Sequence, residues 1–213
     1  MKYEAIVFDF DGVLAESVSI KGDAFVKLYE DETPEIQDKV LRYHNENGGV
    51  TRYDKIRYYE TELCARVCTE ERVQELAQKF SDIVEQLVVQ SAWVNGAKEM
   101  LEALKEKDTP LYVASATPQA ELERIITARG MEYYFKGIFG APTKKDQHIR
   151  SISAKNGYDL SAMLMVGDAI TDYNAAKAAG TDFLGRLIDP NQNPFPEGTK
   201  TIPDMSGFMD ALV

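Results

Sequence analysis

The chain has 213 residues, of which 44% are hydrophobic and 28% charged, with a net charge of −11. That balance describes a folded globular protein rather than a disordered one, and no apolar run approaches the roughly 20 residues of a membrane-spanning helix. So acidic a surface repels a nucleic-acid backbone, no compensating basic patch is visible, and the expectation is no nucleic-acid and no membrane partner.

Residues 3–8 form an apolar run that stops at Asp9, Phe10, Asp11 and Gly12. This reads as a buried parallel strand with two carboxylates at its C-terminal end. The run is short and interrupted by acids, so it is not a signal peptide. From residue 17 to about 90 the period becomes helical. Ala24, Phe25, Leu28 and Tyr29 mark one helix, and Ile36, Val40 and Tyr43 a second. Ile56, Tyr59, Leu63 and Val67 mark a third. The fourth starts after Thr69 and runs through Leu76, Phe80, Val84 and Leu87. Four amphipathic helices in succession predict a bundle. Cys64 and Cys68 are one helical turn apart, a poor disulfide geometry, and no further ligand stands near to make a zinc set. They read as reduced thiols of a cytoplasmic protein.

From Val94 onward strands and helices alternate. A helix is expected over 96–107, a strand over 111–114 ending at Ser115, and a helix capped by Thr117 with Pro118 at its first position. A short strand at 138–139, a helix over 143–156, a strand over 163–166 running into Gly167 and Asp168, a helix to Ala179 and a strand over 183–187 follow. The stretch 189–203, rich in Pro, Asn and Gly, reads as loop, and 208–213 as a short closing helix. The fold class is therefore α/β, a Rossmann-like parallel sheet with helices on both faces. Residues 1–16 and 92–213 form the core and 17–91 an inserted helical domain, with hinges at the two crossings.

In such sheets ligands bind beyond the C-terminal strand ends. Those ends carry Asp9 and Asp11, then Ser115, Ala116 and Thr117, then Lys144 and Lys145, then Asp168 and Asp172. Four acids meeting at one edge need a cation between them, and an all-oxygen set suits Mg²⁺. A carboxylate can then attack phosphorus, with a second acid serving the leaving oxygen and the attacking water.

The segments IVFDFDGVLAES, VASAT, TKKDQ and MVGDAITD resemble, in order, the four motifs of the haloacid dehalogenase (HAD) superfamily of phosphohydrolases. The helical insertion resembles the α-helical cap of its phosphoglycolate phosphatase-like and β-phosphoglucomutase-like members. The resemblance implies a phosphatase acting on a small phosphorylated metabolite. It makes Asp9 the nucleophile and a metal ligand, Asp11 the general acid/base with its backbone carbonyl on the metal, and Asp168 and Asp172 the remaining metal residues. Ser115 and the Ala116 N–H, with Thr117, would hold the phosphoryl group. Lys145 would neutralise its charge; Lys144 is the rival, and the GxPxxK spacing from Gly140 favours Lys145. The motifs depart from the family's pattern at Val13, at Glu16 and in lacking a Pro after the lysine; none removes a catalytic group.

In the insertion, GGVTRYDK places Arg52 and Lys55 about a turn apart, where they would read the substrate's non-reacting end; the alternative is a solvated helix face. His44 is expected at the surface or in packing, His148 exposed, Trp93 packed at a hinge, Arg186 structural, and Tyr53, Tyr58 and Tyr59 in the bundle core. A phosphomutase of the same superfamily and a non-catalytic phosphate-binding protein are the competing functions.

Overall fold

A computed structural model describes residues 2–212. Strand β1 (Ala5–Phe8) lies at the centre of a six-stranded sheet ordered β3-β2-β1-β4-β5-β6, and every pair is parallel. The other strands are β2 (Leu111–Pro118), β3 (Gly137–Ala141), β4 (Met163–Gly167), β5 (Asp182–Arg186) and β6 (Thr201–Ile202). Val7 pairs with Tyr112 on one side and Met165 on the other. Strand order therefore reverses about β1, and a crevice opens at its C-terminal end.

All four residues of β1 are buried, because both faces of the sheet are covered. Ala5 and Val7 point into a cluster with Ile149, Ile152 and Met165, under α7 (Lys145–Asn156) and α8 (Ile170–Ala179). Ile6 and Phe8 point the other way. Their cluster includes Leu101 and Leu104 of α5 (Ala97–Glu106) and Leu122 and Ile125 of α6 (Gln119–Ala128). It continues without a break through Phe10 and Leu14 into the helices of the insertion. Phe208 of the closing helix α9 (Phe208–Ala211) packs its ring 5.7 Å from that of Phe8.

The insertion carries α1 (Val18–Leu28), α2 (Pro34–Glu46), α3 (Arg52–Tyr58) and α4 (Glu70–Gln90). Thr33, Thr51 and Thr69 cap the last three, each side chain accepting from a backbone N–H in the first turn. Their shared core is aromatic: Phe25 lies 4.1 Å from Phe80 and 5.4 Å from Tyr59, and Tyr43 stacks on Tyr58 at 3.9 Å. The chain leaves and re-enters the α/β layer through adjacent, hydrogen-bonded segments. Glu16 N donates to Ala92 O at 2.9 Å and Val94 N to Leu14 O at 3.1 Å.

Several sequence expectations are corrected. The third helix does not continue to Val67. It ends at Tyr58, widens into a π-turn (Tyr59–Leu63) and breaks at Ala65, whose φ is +52°. This turn carries Glu60 inward, 1% exposed, to Arg72, and leaves Val67 at 91% exposure. Thr117 does not cap a helix: β2 runs on through Pro118, and α6 begins at Gln119. Helix α7 begins at Lys145 rather than Thr143. The stretch 189–203, expected as loop, contains β6. His148 is buried, not exposed; its Nε2 lies 3.0 Å from the Gly140 carbonyl and its ring 5.2 Å from Phe139. Among the described residues no helix is long and apolar enough to cross a membrane.

Candidate active site

Asp9 stands one residue beyond β1, its N–H donated to the Val166 carbonyl of β4 at 2.8 Å. Its Oδ1 accepts from the Phe10 N–H at 2.7 Å, which fixes the carboxylate's direction. Its Oδ2 lies 2.7 Å from Lys145 Nζ. Lys145 opens α7 and also reaches Asp172 Oδ1 at 2.5 Å. Asp172 is fully buried in the first turn of α8, where its Oδ2 accepts from the Ala169 N–H at 3.2 Å. Lys144, the rival lysine, is exposed.

Asp168 follows β4. Asp9, Asp168 and Asp172 each offer a carboxylate oxygen, all within 4.8 Å of one another. Three carboxylates thus share a single ammonium, that of Lys145. Burial, outweighing Lys145, pushes the Asp9 carboxyl up to about 7, with Asp172 and Asp11 adding to the rise. Burial and then Asp9 and Asp172 hold Asp168 well above the ordinary carboxylate range. Lys145, though desolvated, is held above its usual value by Asp172 and Asp9. The cluster is short of positive charge, and its donors are all hard oxygens. A divalent cation such as Mg²⁺ fits both facts. Gly12 belongs to the same fit: its φ is +70°, and an added Cβ would come 2.2 Å from Asp168 Oδ2.

The Asp11 carboxylate is held by a different set of partners. Ser17 Oγ donates to its Oδ1 at 2.6 Å, and Thr117 Oγ1 to its Oδ2 at 3.2 Å. Lys21, on α1 of the insertion, forms an ion pair with Oδ2 and donates to Thr117 Oγ1 at 2.9 Å. Burial would raise the Asp11 carboxyl, but Lys21 and the two hydroxyls outweigh it and hold it below the usual range. Ser115 Oγ lies 3.5 Å from the same oxygen and accepts from the Thr117 N–H at 3.1 Å.

Asp9, Asp11, Ser115, Ala116, Thr117 and Asp168 line one cavity of about 530 Å³ together with Arg52 and Lys55. Arg52 is not a solvated residue but 6% exposed, and its guanidinium pairs with Glu121 of α6. Lys55 is 3% exposed and lies against His44. His44 is buried; burial, and then Lys55, hold its ring down at about 3, so it is neutral. Arg186 ties the site's floor together, donating to the Gly12 carbonyl at 2.8 Å and to Glu16 at 2.6 Å.

Sequence reasoning missed Lys21 and Glu121. Lys21 stands in a helix whose period marks Ala24, Phe25 and Leu28 as its buried side, and nothing local shows that the lysine also turns inward. Glu121 sits in the first turn of α6, where an acid is ordinary.

Comparison with known proteins agrees with this geometry. A family model described as haloacid dehalogenase-like hydrolase matches residues 6–186. A phosphoglycolate phosphatase of Haemophilus influenzae (strain 86-028NP) is 26% identical over 199 residues, covering 90% of this chain and 89% of that protein. Among solved structures, a predicted phosphoglycolate phosphatase from Haemophilus somnus 129pt superposes with a TM-score of 0.80 at 21% identity, covering 100% of this chain and 99% of the other. CbbY from Rhodobacter sphaeroides, solved with xylulose-(1,5)bisphosphate, superposes with a TM-score of 0.76 at 18% identity, covering 96% and 95%.

Proposed function

This chain belongs to the haloacid dehalogenase-like hydrolase family and is a phosphatase of that superfamily; from that premise we propose that it hydrolyses a small phosphorylated metabolite through an aspartyl-phosphate on Asp9. The observation that carries the reading is the position of Asp9, anchored by the Phe10 N–H, beside Lys145 and within the Asp168–Asp172 acidic cluster. Mg²⁺ would be held by Asp9, Asp168, Asp172 and the Asp11 backbone carbonyl, and when bound it supplies charge neutralisation and polarisation of the phosphoryl oxygens.

One Asp9 oxygen attacks phosphorus as the bond to the leaving oxygen breaks. Lys145 offsets the charge between Asp9 and the transferring group, and the Ser115 hydroxyl and Ala116 N–H bind its oxygens, with Thr117 beside them. Asp11 protonates the leaving oxygen. It then takes a proton from the water that splits the acyl phosphate, which releases inorganic phosphate and restores Asp9. Lys21 keeps Asp11 ionised before substrate arrives. A phosphomonoester arriving as its monoanion draws that ammonium toward itself and brings the proton, which Asp11, its affinity raised, takes up and then passes to the leaving oxygen. The helical insertion of residues 17–91 is the cap that closes over this chemistry. The free thiols of Cys64 and Cys68 support a cytoplasmic enzyme.

Asp9→Asn keeps the shape and removes the nucleophile. Phosphate release from a phosphoester panel with Mg²⁺ is expected to fall by about 10³-fold or more, with the circular dichroism spectrum unchanged. Turnover within a few-fold of wild type would end the covalent reading.

A further inference from the structure

The end of β5 carries a guanidinium with all three nitrogens engaged. Arg186 Nη1 donates to the Gly12 carbonyl at 2.8 Å and to Glu16 Oε2 at 3.1 Å, Nη2 to Glu16 Oε1 at 2.6 Å, and Nε to the Pro203 carbonyl at 3.2 Å. Arg186 is buried and Glu16 partly exposed. A buried cation in such a pair is a weak fastener, since desolvation offsets most of the attraction. Fastening β5 to the hinge therefore accounts poorly for the bond to Gly12. Gly12 stands where the acidic cluster is least secured. Of the three clustered carboxylates, Asp9 is held by the Phe10 N–H and Asp172 by the Ala169 N–H, whereas Asp168 accepts no hydrogen bond among the described residues. Gly12 lies against it: an added Cβ would meet Asp168 Oδ2 at 2.2 Å and Val18 Cγ2 at 2.8 Å. Only glycine fits there, and glycine is also the residue with the least stiffness of its own. The turn restrains the Gly12 N–H, which donates to the Ala15 carbonyl at 2.8 Å, and the Leu14 and Ala15 N–H groups, which both donate to the Phe10 carbonyl. The Gly12 carbonyl has no backbone donor among the described residues, and Arg186 is its partner. Rotation of the Gly12–Val13 peptide would shift the surface on which Asp168 rests, and the bond from Arg186 opposes that rotation.

We infer that Arg186 is a positioning residue for the acidic cluster: by holding the Gly12 carbonyl it fixes the surface against which Asp168 rests, and so sets the affinity for Mg²⁺. This rests on the metal-dependent phosphatase reading above and adds to it a residue outside the cluster. The sign of the effect separates positioning from charge. Arg186 is a cation, so by Coulomb's law alone its removal favours a divalent ion nearby. Positioning predicts the opposite. Without the guanidinium Gly12 is loose and the Asp168 carboxylate is spread over several orientations, which an arriving Mg²⁺ must first order.

The test adds Mg²⁺ alone to the full chain, with no substrate, and takes the dissociation constant from the rise of melting temperature with Mg²⁺ concentration. Arg186→Met should raise that constant by about tenfold, the usual consequence of removing a group that orients a metal ligand. With p-nitrophenyl phosphate, the Mg²⁺ needed for half-maximal turnover should rise in step, while KM for the ester at saturating Mg²⁺ stays within about twofold. Glu16→Gln removes the ion pair and leaves the Gly12 bond in place. It should lower the melting temperature without moving the Mg²⁺ dissociation constant. If Arg186 only fastened β5 to the hinge, both variants would melt lower and both would bind Mg²⁺ as wild type does, and the inference would be overturned. Tighter Mg²⁺ binding by Arg186→Met would overturn it as well, because charge would then outweigh position. Should Arg186→Met not fold, Arg186→Lys keeps the charge but offers one compact donor group, which Glu16 claims. It is expected to weaken Mg²⁺ binding in the same direction, and wild-type affinity in that variant would sink the proposal. A wild type that neither melts higher with Mg²⁺ nor releases phosphate from p-nitrophenyl phosphate removes the phosphatase reading itself. A wild type that does both, beside an Arg186→Met that binds Mg²⁺ equally well, removes this inference alone.

Discussion

Lys55 is where the cost of the site is concentrated in one side chain. Burial, and then the charge of Lys21, bring its ammonium down from 10.5 to about 7. Between those values the unfolded chain binds a proton that the folded chain does not, so stability should rise as pH rises from about 7 toward 10.5. Urea midpoints taken across that range should climb more steeply for wild type than for Lys55→Met, which lacks the titration. Equal slopes would mean that Lys55 is solvated. No local signal in the sequence announces this state. Asp9, Asp11 and Asp168 were legible because each ends an apolar strand, and a strand end in a parallel sheet has a known place. Lys145 was separable from Lys144 only by a family spacing, and the burial of one and exposure of the other follow from where α7 begins. Lys21, Glu121 and the pairing of Arg52 stood beyond reach, since a charged residue on a helix gives no sign of which distant partner turns it inward.

At the scale of elements, the strands of the core were readable from their apolar runs and the capped helices from their threonines. What failed were places where tertiary contacts override local pattern. The regular spacing of Ile56, Tyr59, Leu63 and Val67 fits a helix, yet the chain widens at Tyr59–Leu63 to seat Glu60 against Arg72. Thr117-Pro118 has the look of a helix start, yet Thr117 is held in an extended β2 by its bonds to Asp11 and Lys21. Strand β6 is two residues long, too short to carry any period. The longest helix, α4, shows how the elements are fastened together. Phe80 is 1% exposed and its ring meets both Phe25 and the Arg52 guanidinium. Phe80→Ala should cost about 3–5 kcal/mol in urea unfolding, as large core truncations do. A loss under about 1 kcal/mol would mean that α4 is not packed into a common core with α1 and α3.

The whole molecule gathers like charges at the switch point of the sheet. Asp9, Asp168 and Asp172 surround one lysine, and in the folded chain Asp9 is raised from 3.8 to about 7. Without metal, the folded state therefore holds protons between about pH 4 and 7 that the unfolded state has given up, so stability should fall as pH rises through that window. A cation that binds only the folded cluster offsets the loss, by about 2.7 kcal/mol at one hundred times its dissociation constant. It does so most fully where the carboxylates are ionised. Melting temperatures measured in EDTA and in excess Mg²⁺ should thus differ more at pH 7.5 than at pH 5, and the difference should shrink in Asp168→Asn, which removes one of the repelling charges. Because the readout is melting rather than turnover, it is independent of which substrate the enzyme prefers. A Mg²⁺ effect of the same size at both pH values, or one untouched by Asp168→Asn, would place the metal somewhere other than among these three aspartates.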